Sequence, residues 1–296
     1  MDPNIHEVHR EDRHRRRLPA LILLAIVTIV GAGWIGLFGF LSSNAALGTV
    51  ESLEDHYFCD VSSIDLSFPD VSRLSSVSTA DGVELGKLSE RNSQPVPLDA
   101  MPDLVIGALL SAEDKSFYDH SGIDFPAIVR AAIGGAETGA STITQQVVKQ
   151  NFLTADRTLE RKVCEAQVAA ELERRYTKDQ ILEFYANSVF FGSNAYGVKA
   201  AAQEYFGKDL DALTLSEAAT LVTPIRNPTF YHPRNNPQNS IAVRNRTIDR
   251  MVANGYATAS EGAAAKASPP GVVPHVQRKD LDPQVMIAVR QDLLDS

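Results

Sequence analysis

Two glutamates stand where a carboxylate could take part in acid–base chemistry. Glu113 follows the apolar run 104–110 and precedes Asp114, at the predicted C-terminal turn of a helix. Apolar surroundings and the negative end of the helix dipole both disfavour the charged form of a carboxylate. The resulting basicity suits a general base. The alternative is that Glu113 is an ordinary solvated residue at a helix end.

Glu165 is the second candidate, in a helix predicted over 158–175. Apolar positions spaced four, three and four apart predict one buried stripe, formed by Leu159, Val163, Ala166 and Ala170. A second stripe runs along another face through Arg161, Glu165, Val168 and Leu172 and places Glu165 between solvent and core. Arg161, one turn earlier, can hold Glu165 ionised. An i,i+4 ion pair on the surface is the alternative.

A polar and cationic segment lies between the two glutamates. Small residues, hydroxyls and amides follow one another from Gly139 to Gln146 at a predicted helix start, where backbone N–H groups favour anionic oxygens. The cations Lys149, Arg161 and Lys162 suit a diphosphate. A Ser/Thr N-cap followed by two exposed glutamines is the alternative. Paired carboxylates with a cationic cleft indicate glycosyl chemistry.

Other chemistries find little support in the chain. Its 7 histidines do not cluster at metal-ligand spacing, and neither a P-loop nor a nucleophile elbow is present. The formal net charge of −9 argues against a general nucleic-acid binder. The two cysteines, Cys59 and Cys164, are too few for a disulfide framework, and their pairing stays open.

The first part of the chain predicts a membrane anchor. Residues 18–41 form a run of 24 residues without a charge, long enough to cross a bilayer, and follow the basic segment 13–17. Positive charge beside a span stays cytoplasmic, so everything after residue 41 is expected outside the membrane. A cleaved signal peptide is the alternative, but its apolar region usually has 7–15 residues.

The elements that must position the candidate residues are predicted to be mostly helical. Asp81-Gly82 predicts a small β-hairpin, and capping boxes begin helices at Thr177, Thr214 and Thr258. Helices are predicted near 103–117, 125–134, 142–152, 158–175, 178–190, 198–206, 215–223, 238–253 and 259–266. The domain division is a cytoplasmic tail 1–17, a transmembrane anchor 18–41, a spacer 42–75, a catalytic domain 76–266 and a linker-like segment 267–296.

Ordered motifs lie at 113–122, 139–149, 161–165, 178–187, 195–208 and 250–252. Together they resemble the peptidoglycan glycosyltransferases of family 51, which comprise the transglycosylase domain of class A penicillin-binding proteins and the monofunctional transglycosylases. The resemblance covers about residues 76–265. It implies a lysozyme-like, α-helical fold with a membrane-adjacent lobe, and polymerisation of lipid II into β-1,4 glycan strands.

The resemblance also assigns roles. Glu113 matches the general base that takes the proton from the acceptor sugar 4-hydroxyl, whose oxygen attacks the anomeric carbon with inversion while undecaprenyl diphosphate leaves. The positions that hold the diphosphate are matched by Lys149, Arg161 and Lys162. Glu165 matches the second glutamate, which orients or stabilises those groups. Cleft-lining positions are matched by Asp114, Ser141, Thr142, Gln145 and Gln146.

By the same resemblance no cofactor is required, because the fixed cations partly replace a metal. A divalent cation, Mg or Mn, at the diphosphate is an optional addition. The expected partners are lipid II, the growing glycan strand, the membrane and cell-wall synthesis or division proteins, with no nucleic acid. The expected location is a single-pass position in a bacterial cell membrane.

Some positions depart from the family pattern. Ala140 replaces a usual Gly, Gln150 a usual Asn and Ala186 a common Leu, and the loop between Ala131 and Gly139 is shorter than is typical. These changes leave both glutamates intact. The SxxK and KTG motifs of a transpeptidase domain do not occur, so the sequence leaves a monofunctional enzyme and a truncated bifunctional protein both open. A non-catalytic wall-synthesis scaffold and a lysozyme-type lytic enzyme are the other hypotheses.

Overall fold

The computed structural model describes residues 59–69, 75–88, 92–134, 141–154, 156, 158–275 and 283–295. The predicted tail and transmembrane anchor, 1–41, lie outside the described residues, as does most of the spacer. Among the residues that are described, no helix combines the length and the apolar character needed to cross a bilayer. The anchor therefore stays a prediction from the sequence.

Helices dominate the described part of the chain, as the sequence predicts. They are α1 (Asp103–Glu113), α2 (Phe125–Gly134), α3 (Ile143–Asn151), α4 (Leu159–Arg175), α5 (Lys178–Ser188), α6 (Val198–Phe206), α7 (Leu215–Leu221), α8 (Pro237–Ala253), α9 (Ala259–Ala267) and α10 (Pro283–Asp295). Short 3-10 helices cover Val61–Ser63, Leu98–Ala100, Leu210–Ala212 and Thr223–Arg226.

Local capping chemistry sets several helix starts. The predicted capping boxes are confirmed: the hydroxyls of Thr177, Thr214 and Thr258 each accept from the backbone N–H three residues later, and a Gln or Glu side chain returns the bond. Thr142 and Gln145 form a further box at the start of α3. Each box satisfies N–H groups that the first helical turn leaves without a partner.

The predicted hairpin is also confirmed. Strand β1 (Ser75–Ser78) pairs antiparallel with β2 (Glu84–Leu88). The turn between them places Gly82 at φ +87°, a backbone conformation that glycine adopts without steric cost. A two-residue parallel pairing joins β3 (Asn92–Ser93) to β4 (Ala195–Tyr196).

The chain divides into two compact units. Of the described residues, the first contains 59–65 and those within Asp119–Arg174, and the second contains those within Leu66–Tyr118 and from Arg175 onward. The apolar core of the first unit includes Ile143, Val147, Val148, Val168 and Leu172. The core of the second includes Leu109, Tyr185, Tyr205, Leu221 and Ile248.

The buried face of α4 differs from the prediction. The expected buried stripe is wrong, because Leu159 is 45% exposed and Ala170 is also exposed. The face that packs inward carries Glu165, Val168 and Leu172, which are at most 1% exposed. Both faces carry apolar side chains at helical spacing, so periodicity alone could not choose between them. The segments that pack on α4 decide which of its two faces is buried.

One of those segments is joined to α4 covalently. Cys59 and Cys164 form a disulfide with their Cα atoms 5.3 Å apart. The backbone N–H of Cys59 also donates to Gln167 Oε1 at 3.3 Å. The sequence predicted no disulfide framework and left this pairing open. The structure shows that a single bridge fastens the chain entering the first unit to the helix that carries Glu165.

The described part of the predicted linker-like segment is docked on the second unit. Arg244 is buried and donates to the carbonyl oxygens of Ser268 and Lys266 at 2.9 and 3.0 Å. Further along, the backbone N–H of Val273 donates to the carbonyl oxygen of Tyr205 at 2.8 Å. Arg234 Nε donates to the carbonyl oxygen of Val273, also at 2.8 Å. Beyond it, α10 packs against β2. The domain boundaries remain predictions.

Candidate active site

Glu165 is the buried centre of an ionic cluster in the first unit. Its side chain is 2% exposed. Arg161 Nη1 donates to Glu165 Oε2 at 2.7 Å, and Lys162 Nζ donates to Glu165 Oε1. The i,i+4 pair of the alternative is thus confirmed, but its surface position is wrong, because the carboxylate that the two cations hold is buried.

The same cluster has donors directed at more than the carboxylate. Lys162 Nζ also donates to Ser141 Oγ at 3.1 Å, which brings a hydroxyl from the chain before α3 beside the cations. Arg161 Nε is buried and makes no hydrogen bond within the described residues. Two cations against one carboxylate leave a net positive charge, so the cluster can attract an anion.

The start of α3 is built on Thr142 and Gln145. Both side chains are buried, and each is committed to the capping box. Thr142 Oγ1 also donates to the carbonyl oxygen of Gly122 at 2.7 Å. The N-cap of the alternative is thus confirmed. Its two glutamines are not exposed, however, because Gln145 is buried and Gln146 is half-buried. A role for these two side chains in lining the cleft stays a prediction.

Gly122 shows why that position needs a glycine. Its φ is +82°, and a Cβ there would approach the backbone of Ala169 on α4 to 2.9 Å. One turn after Ala169 on α4, Glu173 accepts from Thr144 Oγ1 at 2.5 Å and lies 4.0 Å from His120 Nδ1. Sequence reasoning missed Glu173 and Thr144, which join α4 to α3. The hydrogen bond between Thr144 and Glu173 thus fixes α3 against α4, the helix that carries the cluster.

Lys149 stands apart from the cluster. It lies in the last turn of α3 and its side chain is exposed. Within the described part of the chain, no hydrogen bond or ion pair joins Lys149 to Glu165. Its proposed contact with a diphosphate remains a prediction. Ala140 and most of the short loop before it lie outside the described residues.

In the second unit, α1 ends at Glu113, before the predicted end at 117, and Glu113 lies in the last turn as predicted. Glu113 is the last helical residue and is half-buried, and Asp114 is the buried C-cap whose N–H donates to Leu110 at 2.9 Å. Tyr185, on α5, is completely buried. Burial raises the pKa of Tyr185 well above 10, and the charges of Glu113 and Asp114 raise it further. A neutral phenol therefore accompanies the two carboxylates.

The loop after Asp114 is held by the first turn of α5. Phe117 is buried, and Lys178 Nζ lies 4.4 Å from the centre of its ring, a favourable cation–π distance. The hydroxyl of Tyr118 donates to Asp179 Oδ1 at 2.9 Å. The sequence motifs contained these residues, but only the fold shows that they meet. They restrict the path of the chain directly after Glu113.

A metal centre would need several ligating side chains close together in the part of the chain that the structure describes. There, no group of three or more His, Cys, Asp or Glu side chains is arranged to hold a metal ion. The prediction that no cofactor is required, with Mg or Mn as an optional addition, is not decided by this result.

Comparison with known proteins identifies the class. The model of the family described as Transglycosylase matches residues 81–252, more than half of the chain. The chain belongs to this family. The match includes both candidate glutamates and the three candidate cations.

Particular relatives are penicillin-binding proteins. Penicillin-binding protein 1A of Escherichia coli (strain K12) is 38% identical over 244 residues, which are 80% of this chain and 27% of that protein. Penicillin-binding protein 1A of Aquifex aeolicus is 43% identical over 200 residues, 66% of this chain and 28% of the relative. Penicillin-binding protein 1F of Bacillus subtilis is 34% identical over 267 residues, 88% of this chain and 35% of the relative.

The chain thus spans about a third or less of the length of these relatives. Among solved structures, the crystal structure of penicillin-binding protein 1A from Haemophilus influenzae is 24% identical and covers 77% of this chain and 25% of its own. Its TM-score of 0.46 is too low to support an argument.

Proposed function

We propose that this chain is a peptidoglycan glycosyltransferase that polymerises lipid II into β-1,4 glycan strands and releases undecaprenyl diphosphate. The observation that carries the proposal is the Arg161–Lys162–Glu165 cluster in a member of the Transglycosylase family. A buried carboxylate that fixes two cations is an arrangement that can receive a diphosphate. Lipid II and the growing strand are the proposed substrates.

In this proposal the cluster stabilises the leaving group. Charge builds up on the diphosphate as its bond to the anomeric carbon breaks, and fixed cations favour that state over the ground state. Glu165 holds Arg161 and Lys162 in place, and the buried Arg161 Nε supplies a further donor. Lys149 adds a cation from α3. The reaction as proposed needs no metal, and Mg or Mn at the diphosphate remains optional.

Glu113 is the proposed general base. It takes the proton from the 4-hydroxyl of the acceptor sugar as that oxygen attacks the anomeric carbon and inverts it. The end of a helix beside a buried tyrosine makes a carboxylate a better proton acceptor than it is in water. Since Tyr185 keeps its proton, it adds no negative charge to compete with Glu113.

The proposed setting is the outer face of a bacterial cell membrane. The apolar run 18–41 would anchor the chain, with the N-terminus in the cytoplasm. The disulfide between Cys59 and Cys164 supports an extracytoplasmic position for the residues that follow, because such bonds persist in oxidising compartments. A lysozyme-like arrangement with a membrane-adjacent lobe belongs to the same proposal, as do partners from cell-wall synthesis or division.

The direct test is polymerisation of labelled lipid II by the purified chain in detergent. We expect glycan ladders from the wild type, and about a 1,000-fold lower rate from Glu113→Gln because the proton acceptor is gone. Asp211→Asn, an exposed acid in the same unit, is the matched control and should keep the wild-type rate.

Two results would contradict the proposal. A Glu113→Gln protein that polymerises at the wild-type rate would remove Glu113 as the base. A wild type that binds lipid II without making polymer would favour the scaffold hypothesis, and release of soluble fragments from preformed wall would favour the lytic enzyme.

A further inference from the structure

The motif at 250–252 has no role in the chemistry described above, but the fold brings it to Glu113. Helix α8 packs along α1. Arg250 Nη1 donates to the carbonyl oxygen of Ala112 at 3.2 Å, directly before Glu113 in the chain. One turn further on, Asn254 Nδ2 donates to Ser111 Oγ at 3.1 Å. Arg250 and its helix therefore hold the last turn of α1.

The same helices meet closely at a second point. The ring of Tyr256, just after α8, lies so near Gly107 of α1 that a Cβ on Gly107 would approach it to 2.5 Å. This close packing fixes the distance between the two helices. It follows that the position of Arg250 relative to the end of α1 is set by the fold.

The electrostatics at this end of α1 favour a cation. The last carbonyl groups of a helix lack intrahelical partners and carry the negative end of its dipole. Partial burial lowers the pKa of Arg250, the charges of Arg226 and Arg246 lower it further, and the charge of Glu113 raises it. The groups shown to interact at this end of α1 are thus Glu113 and Asp114, the neutral Tyr185 from α5, and Arg250. Arg226 and Arg246 act on Arg250.

We propose that Arg250 is a positioning residue that holds the C-terminal turn of α1 and favours the ionised form of Glu113. The proposal rests on the proposed function, in which Glu113 is the general base. Arg250 offsets the helix dipole and the charge of Asp114, both of which would otherwise keep Glu113 protonated. The carboxylate is thereby available to accept a proton at lower pH than the end of a helix alone would permit.

The activity test compares the pH profiles of kcat/KM for the wild type and Arg250→Gln. Glu113 accepts a proton only above its own pKa, so loss of the cation should move the acid limb to higher pH by about one unit. At pH values below the limb the variant should be about tenfold slower, and at high pH it should approach the wild-type rate. Arg250→Lys keeps the charge and should restore most of the wild-type limb.

The matched control is Arg246→Gln, which removes an exposed cation one turn earlier on the same helix. Its profile should stay within half a pH unit of the wild type, since among the described residues it is Arg250, and not Arg246, that donates a hydrogen bond to α1. Arg250→Met is a second neutral variant, which retains aliphatic packing if Arg250→Gln does not fold. Equal acid limbs in the wild type and in both neutral variants would overturn the assignment.

A titration without substrate separates this inference from the proposed function. Glutamate side chains labelled with carbon-13 report the protonation of Glu113, whose signal is assigned by its absence in Glu113→Gln. We expect a higher midpoint in Arg250→Gln than in the wild type, whether or not the chain polymerises lipid II. An unchanged midpoint overturns the role of Arg250, whereas a shifted midpoint in a chain without polymerase activity overturns only the role of Glu113 as a base.

Discussion

The two glutamates show how differently one residue type can be used in the two units. Glu165 is enclosed in the first unit, and Arg161 and Lys162 neutralise it. Glu113 is half-buried at the end of a helix in the second unit, beside a neutral tyrosine. A carboxylate fixed between cations suits an electrostatic role, and one at a helix end suits proton transfer.

The largest effect should come from removing the bridge that only the first unit has. The disulfide closes a separation of 105 residues, and loop entropy predicts a stabilisation of about 5 kcal/mol. Replacing both Cys59 and Cys164 with Ala should speed amide hydrogen exchange in α3 and α4 more than in α5 to α8. Equal acceleration in the two units would contradict a bridge that acts on the first unit.

A thiol count of the unfolded, unreduced protein is the control for that experiment. The wild type should show no reactive thiol, because the structure leaves neither cysteine free. Detection of two free thiols would remove the bridge and the support it gives to an extracytoplasmic position.

The next-largest effect is on the free energy of unfolding, which should fall by different amounts when Glu165 and Glu113 are replaced. Glu165→Gln leaves Arg161, whose side chain is only 14% exposed, without its counter-charge and should lower the free energy of unfolding by about 3 kcal/mol. Glu113→Gln removes a partly exposed group at a helix end and should change that free energy by less than about 1 kcal/mol. Chemical denaturation of both variants measures the difference.

A double variant sharpens this test. Replacing Arg161 with Met together with Glu165→Gln removes both charges of the pair, so it should recover part of the lost stability. The double variant would contradict this if it lost more free energy of unfolding than the two single variants lose together. Charge pairing would then not be what holds Glu165.

The smallest effect concerns the cation outside the cluster. Lys149→Ala should lower kcat/KM for lipid II by about tenfold, since one exposed charge contact to a diphosphate is lost, and should leave unfolding unchanged. Kinetics with labelled lipid II check this result. The control is Lys199→Ala, which removes a cation of the second unit whose side chain is 36% exposed. An unchanged rate for Lys149→Ala would remove Lys149 from the diphosphate site.

Much of the secondary structure could be predicted because its signals are local. A threonine followed three residues later by Gln or Glu marks a helix start, and Asp81-Gly82 marks a hairpin turn. Both depend on groups only a few residues apart, and the structure confirms them. The position of Glu113 at a helix end was predictable for the same reason.

The environment of each glutamate could not be predicted in this way. Periodicity offered two apolar faces of α4 and favoured the wrong one, so the complete burial of Glu165 was missed. Tyr185 gave no signal beyond its place in a motif, since only the folded chain brings it near enough to Glu113 and Asp114 for their charges to act on it.

The sequence by itself determined the helical character, the helix starts, the hairpin and the motifs that mark the Transglycosylase family. The tertiary structure decided the pairing of Cys59 with Cys164, the burial of Glu165 and the contact of Arg250 with the end of α1. The physical reason is distance along the chain: Arg250 and Ala112 are 138 residues apart. Such contacts are selected by packing of the whole unit, because no local pattern specifies which distant side chain will meet a given helix end.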